Sequence, residues 1–272
     1  MQYSEINPSP HLAEYVKCFW SLEQSKSQVS EAPEPVVPDG CLEIVFNLAD
    51  RFQRFHADLT VETQPSSIVA GQMRKSVLIK PTGNVKLFGI RFRSSGAYPF
   101  FDFPLCELTD RIESLDSVLG TKGRVIEEQI NEAATFAERV GIIETFLTKR
   151  LIENKKFDST LIRAAEIIVE NDGMISVGGV ARIVGVSERR LERKFKQKVG
   201  VSPKLFSRII RFQNILKALK ATGTDDVLDT ALTFGYFDQP HMIHEFREFS
   251  GKSPMAFLDD SHRMTEFFTI GE

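Results

Sequence analysis

Apolar positions in the first hundred residues come in short runs, rich in β-branched and aromatic side chains and separated by Pro, Gly and Asp. That pattern predicts strands at 15–22, 41–48, 67–70, 77–80 and 85–93. Pro38-Asp39-Gly40 and Pro81-Thr82-Gly83-Asn84 have turn chemistry. In the stretch 86–93 the second half alternates apolar and basic residues, so one face is expected to be buried and the other wet. A small antiparallel sheet or barrel, with one or two short helices near 9–14 and 95–101, fits these signals.

From 122 to 151 the period changes. Ile126, Ile130, Ala133, Ala137, Val140, Ile143, Leu147 and Leu151 recur at steps of three or four, which is a helical stripe. Thr135 and Gly141 interrupt it, leaving one helix or two consecutive helices as readings. The stripe can pack against its own sheet or form a dimer seam. Lys155-Lys156-Phe157-Asp158 reads as a polar hinge, 158–258 as helical throughout, and 259–272 as an acidic-leaning tail. The expected chain is therefore α+β: a β-rich domain at 1–121, a helical linker at 122–156, an all-α domain at 157–258 and a tail.

The helical half repeats itself. Ala181 and Gly185 correspond to Ala231 and Gly235 at an offset of 50. After a one-residue insertion, Ser187, Leu191, Phe195, Gly200, Ser202, Pro203 and Phe206 correspond to Asp238, Met242, Phe246, Gly251, Ser253, Pro254 and Phe257 at an offset of 51. Agreement in order, spacing and chemical class marks a duplicated supersecondary unit. Each position has a physical role. The small Ala lets a second helix cross closely, and the Gly ends the first helix in the left-handed conformation. Ser187 or Asp238 caps the next helix. Leu191 and Phe195, like Met242 and Phe246, share the inward face of that helix. Helix, tight turn, capped helix is the helix-turn-helix pattern. Ser202-Pro203 and Ser253-Pro254 then cap and start a following helix.

Charge sharpens this. The overall net charge of −3 conceals 9 basic against 2 acidic residues within 187–211, the footprint expected of a phosphate-backbone partner. With Leu191 and Phe195 inward, the outward face of the first unit's second helix is Arg189, Glu192 and Arg193, flanked by Arg190, Lys194 and Lys196, with Ser187 at its start. Residues spaced i, i+3, i+4 near a helix N-terminus reach base edges in a major groove. Arg can fork onto guanine, and Glu192 can accept from cytosine. The second unit offers Gln239, His241, Ile243 and His244, a less basic face suited to adenine, a thymine methyl or phosphate. The competing reading for both faces is a merely solvated helix surface, heavier for the second. Two histidines three apart lack a Cys or third His, so no metal and no cofactor is expected.

Residues 160–258 resemble the DNA-binding domain of AraC/XylS-type bacterial regulators. The resemblance is carried by 180–187 with Leu191, Arg193, Phe195 and Lys196, by 200–203 and Arg211, by 231–236, and by 238–247 with 251–254. It implies two helix-turn-helix units bridged by a long helix near 203–221 and inserted into successive major grooves of double-stranded DNA. Glu192 on a cationic face, and His244 where the family often has Arg, are departures that bear on the target sequence. More distantly, 38–46, Trp20 and 89–92 resemble sensor domains that precede such DNA-binding domains. That implies an unidentified small-molecule effector and, in some members, a homodimer; RNA polymerase is a candidate further partner.

Trp20, Phe46, Phe88, Arg91 and Phe92 are candidate effector contacts, with simple core packing as the competing reading. No catalytic constellation is recognisable. Cys18, Cys41 and Cys106 are odd in number and far apart, reading as free buried thiols. An enzyme of the DNA-repair type, fused to the same DNA-binding domain, would need a reactive cysteine in an electropositive setting. A third reading is a regulator without an effector, controlled by abundance or a protein partner. Without a membrane-length apolar run or a secretion-type N-terminus, the expected location is the cytoplasm, at the nucleoid of a bacterium.

Overall fold

The computed structural model describes residues 2–28, 30, 32–154, 156, 158–222 and 231–259. The N-terminal half holds two antiparallel sheets. The larger has the order β1(Gln2–Ile6), β2(Val16–Gln24), β9(Val85–Phe92), β4(Glu43–Asn47), β7(Ser67–Ala70), β10(Ile112–Ser114). The smaller runs β3(Glu34–Val36), β8(Val77–Pro81), β5(Phe52–Phe55), β6(Val61–Thr63). The sheets face one another without closing into a barrel. Residues 10–15 form consecutive turns where a short helix was expected, and 95–101 contains only the 3-10 turn Tyr98–Phe100.

Alternation along the strands decides what each face of the larger sheet does. Phe19, Ile44, Phe46, Phe88, Ile90 and Phe92 point to one side. There they form a core with α1(Leu115–Leu119), α2(Thr121–Glu132) and α3(Phe136–Asn154) through Leu115, Ile126, Ile130, Val140, Ile143 and Leu147. The helical stripe is thus two helices packed on the chain's own sheet. The break falls at 133–135, where the Glu138 carboxylate accepts from the backbone N–H groups of Ala134 and Thr135. Cys18, Trp20, Leu22 and Leu87 point the other way, toward Phe52 and Ile79 of the smaller sheet. Trp20 lies across Gly89, where a Cβ would stand only 2.1 Å from the indole ring.

The C-terminal half is helical: α4(Ser159–Glu170), α5(Val177–Ile183), α6(Glu188–Lys198), α7(Pro203–Thr222), α8(Gln239–Ser250) and α9(Pro254–Asp259). Residues 231–233, before Gly235, are also helical. Helix α7 serves two cores. Phe206 and Ile210 join Leu191, Phe195 and Val180 of the first unit, whereas Ile209, Phe212, Leu216 and Leu219 join Met242, Phe246 and Phe249 of the second. A twenty-residue helix spans about 30 Å, so α7 sets the separation of the two units.

The halves touch through the turn 37–40. Val37 enters the second unit's core, and Gln213 of α7 donates to the Pro38 carbonyl. Gly40, at φ +78°, lets the turn lie on Phe206, whose ring would be 3.0 Å from an added Cβ. Gln72 donates to the Gly40 carbonyl at 2.7 Å, Thr109 to that of Gly200 at 2.6 Å, and the Ser76 N–H to that of Phe249 at 2.8 Å.

Candidate nucleic-acid interface

Both units are built by the same local chemistry. Gly185 and Gly235 sit at φ +71° and +72°, the left-handed region that glycine enters without a Cβ clash. The N–H after each turns back to the first helix: Val186 bonds Ala181 O and Tyr236 bonds Ala231 O, both at 3.0 Å. Ser187 accepts from the N–H of Arg190, and Asp238 from that of His241 at 2.8 Å, which caps α6 and α8. Leu191, Phe195, Met242 and Phe246 are buried as the inward positions.

The outward face of α6 is open. Arg189, Arg190, Glu192, Arg193 and Lys196 are all exposed, and none is engaged in an ion pair among the described residues. Lys194 and Lys198 are different. Both bind the Asp158 carboxylate, at 2.8 and 2.7 Å, which ties α6 to the start of α4. Burial alone would raise the Asp158 carboxyl, but hydrogen bonds from the two lysines hold it below the ordinary aspartate range.

On α8 the expected residues divide. His241 and His244 are exposed and Gln239 is half-buried. Ile243 is half-buried against the second core, so only part of it faces outward. His241 also meets the Tyr236 ring edge-on at 5.2 Å. Two outward residues escaped the sequence reading: Arg247, one turn beyond Ile243, and Phe237, just ahead of the cap.

Behind α8 sits a buried acidic hub. Glu245 accepts from Arg208 at 2.7 Å, from Arg211 at 2.9 Å and from the Tyr236 hydroxyl. Burial would raise its carboxyl, yet these donors keep it below the usual glutamate value. Arg211 also stacks on Tyr236, 4.3 Å from the ring centre. This cluster fixes α8 to α7, and α7 is already fixed to the first unit. The two outward helix faces are therefore held in one geometry.

The five N-terminal candidates divide between the two faces of the larger sheet. Phe46, Phe88 and Phe92 are in the helix-side core, Trp20 and Arg91 on the opposite face of the same sheet. None lines the cavity of about 100 Å³ between the sheets, whose walls include Val45, Ile68, Ala70, Ile79, Leu87 and the Glu43 side chain. Strand alternation is the reason: the phenylalanines and the cavity are on opposite sides of one sheet. Arg91 is buried and binds Glu43 at 2.6 Å, with Asp39 at 3.9 Å. Burial pushes both carboxyls above their ordinary range, and the guanidinium offsets only part of that rise.

Burial also pushes the Cys18 thiol up to about 12 and that of Cys41 in the same direction, opposite to what a nucleophilic thiolate needs. Among the described residues no group of His, Cys, Asp and Glu is arranged to hold a metal ion, and no helix is long and apolar enough to cross a membrane.

Two capped helix-turn-helix units joined by one rigid helix, each presenting an open polar face, define a sequence-specific DNA-binding module of a transcription regulator. Residues 180–260 match the family model described as a helix-turn-helix domain, and 4–114 match a domain of unknown function, DUF6597. The chain thus carries a helix-turn-helix domain and resembles regulators of the AraC/XylS type. Among solved structures it is similar to ToxT from Vibrio cholerae, with 12% identity over 93% of this chain and 99% of that chain and a TM-score of 0.49. An AraC-type transcriptional regulator from Chromobacterium violaceum matches with 27% identity over 37% of this chain and 89% of that chain, at a TM-score of 0.35. A probable AraC family regulator from Rhodopseudomonas palustris matches with 24% identity over 38% and 96%, at 0.34. No curated protein gave a significant match.

Proposed function

We propose that this regulator reads DNA chiefly through Arg189 and Arg193 of α6, with Arg190 and Lys196 on phosphates, Glu192 as a cytosine acceptor and Ser187 at the helix start. Gln239, His241 and His244 of α8 read or grip a second groove, with Ile243 offering only its outer edge. The observation that carries this reading is the α6 face: four exposed cations without acidic partners among the described residues, beside two lysines that are so paired. In gel shifts of the full chain against randomised duplexes, specific binding should weaken steeply with salt. Replacing Arg193 by Ala should cost about 1–3 kcal/mol and relax one base preference. Equal weakening on every sequence would make Arg193 a phosphate contact.

An effector site is the second part of the proposal. The inter-sheet cavity is mostly apolar, with Glu43, Asn47, Gln64 and Ser66 as its polar lining, and at about 100 Å³ it has room for roughly three waters. A larger effector must part the sheets. Glu43 is joined through Arg91 to Asp39, and Asp39 sits in the turn that touches α7. Parting the sheets would thereby move the contact that holds the DNA-binding half, shifting its population of geometries. The small resting volume is what favours the rival, a regulator without an effector. Thermal shift against a panel of small apolar metabolites separates the two. A bacterial cytoplasmic location at the nucleoid, a homodimer and a contact with RNA polymerase complete the proposal.

A further inference from the structure

The one-residue insertion between the two units can now be assigned. In the first unit a single residue, Val186, separates the left-handed glycine from the helix cap, and it packs half-buried against its core. Tyr236 occupies the matching place, since its N–H makes the same bond back to the first helix. The extra residue is therefore Phe237. Tyr236 is 4% exposed, turned inward onto Glu245 and Arg211. Phe237 follows it and is 89% exposed, immediately before the Asp238 cap of α8.

Folding gains nothing from this side chain. A fully exposed phenylalanine adds apolar surface that favours association, and the shorter turn of the first unit shows that the motif closes without it. Its place is the one where a helix-turn-helix unit approaches base edges, at the N-terminal end of the second helix. The polar groups beside it on α8 are two exposed histidines and a half-buried glutamine, so this end carries little charge for gripping phosphates. The apolar feature that a major groove displays is the thymine 5-methyl group.

We propose that Phe237 is a specificity-determining DNA contact, packing its ring on a thymine 5-methyl group in the major groove occupied by α8. This rests on the reading of α6 and α8 as DNA-reading helices. The contact gives the second unit a sequence preference its polar residues supply only weakly.

The test begins with duplexes selected by the full chain from a randomised pool. Each thymine in the half-site protected by α8 is then replaced singly by deoxyuridine, which removes only the methyl group. For the wild type, one position should lose about 4-fold in affinity, the value of one buried methyl group. Phe237→Ala should bind the parent duplex about 10-fold more weakly and be indifferent to that replacement. Phe237→Leu should keep part of both effects. Unchanged affinity of Phe237→Ala overturns the proposal, as does an identical deoxyuridine profile in variant and wild type. If Phe237→Ala binds normally but fails to regulate transcription, the residue meets a protein, and the DNA contact is again refuted. Arg193→Ala in the same assay keeps the two readings apart. Loss with that variant but not with Phe237→Ala leaves the regulator standing and removes only Phe237. Failure to enrich any duplex removes both.

Discussion

Glu245 links sequence, packing and function at a single atom group, and its removal has a magnitude that the geometry sets. Replacing it by Ala leaves Arg211, 16% exposed, and Arg208, 26% exposed, without their shared acceptor, and strands the Tyr236 hydroxyl. Breaking a buried pair from one side costs about 3–5 kcal/mol. Arg208 keeps Glu248 and Arg211 keeps the Tyr236 ring, so the lower end, about 3 kcal/mol, is expected. In a domain of this size that lowers the melting temperature by roughly 12 °C or more. Because the cluster joins α8 to α7 and not to α6, DNA affinity should fall toward that of one unit. Calorimetry and gel shifts on whole and half sites measure the two effects. Glu245→Gln keeps an acceptor oxygen and loses the charge, so its cost should be smaller. The carboxyl is held below its ordinary value of 4.5 in the folded chain. Its stabilisation is therefore complete above the unfolded value and lost as pH falls through the depressed folded one. The gap between wild type and Glu245→Gln should accordingly close in acid. A Glu245→Ala protein melting within a degree of wild type, or keeping full two-site affinity, would falsify the latch.

Three further outcomes follow from the same geometry. Val45→Phe should fill the inter-sheet cavity and abolish any effector-induced thermal shift, while specific DNA binding by the free protein persists; an undiminished shift relocates the effector. Gln213→Leu removes the donor to Pro38 without altering α6 or α8, so it should change effector response rather than the bound sequence, as read by reporter induction and footprinting. Gly173→Ala places a Cβ 2.1 Å from the Ser207 carbonyl at φ +73°, where α4 ends against α7. A loss above about 1 kcal/mol in urea unfolding is expected, and a neutral result would mean that the α4–α7 contact yields easily.

The helix-turn-helix pair was legible because its determinants are local. A left-handed glycine, a capping side chain and inward positions four apart each act within one turn, so spacing alone exposes them. The sense of the α6 face followed directly, since burying Leu191 and Phe195 leaves Arg189, Glu192 and Arg193 outward. What tertiary structure decided is non-local. Sequence alternation could not say which side of the larger sheet would carry helices, so ligand contact and core packing both stood open for Phe46, Phe88 and Phe92, which fill the helix-side core. The helical stripe at 126–151 does not name its own partner; the fold supplies it, placing Ile126, Ile130, Val140, Ile143 and Leu147 in one core with Phe88 of the larger sheet. Nothing local marks Glu245; only α7, bringing Arg208 and Arg211 from 37 and 34 residues earlier, makes it a buried latch. Phe237 is the converse case: it stands beside a core tyrosine in the sequence, and the turn's extra residue is what leaves it in solvent.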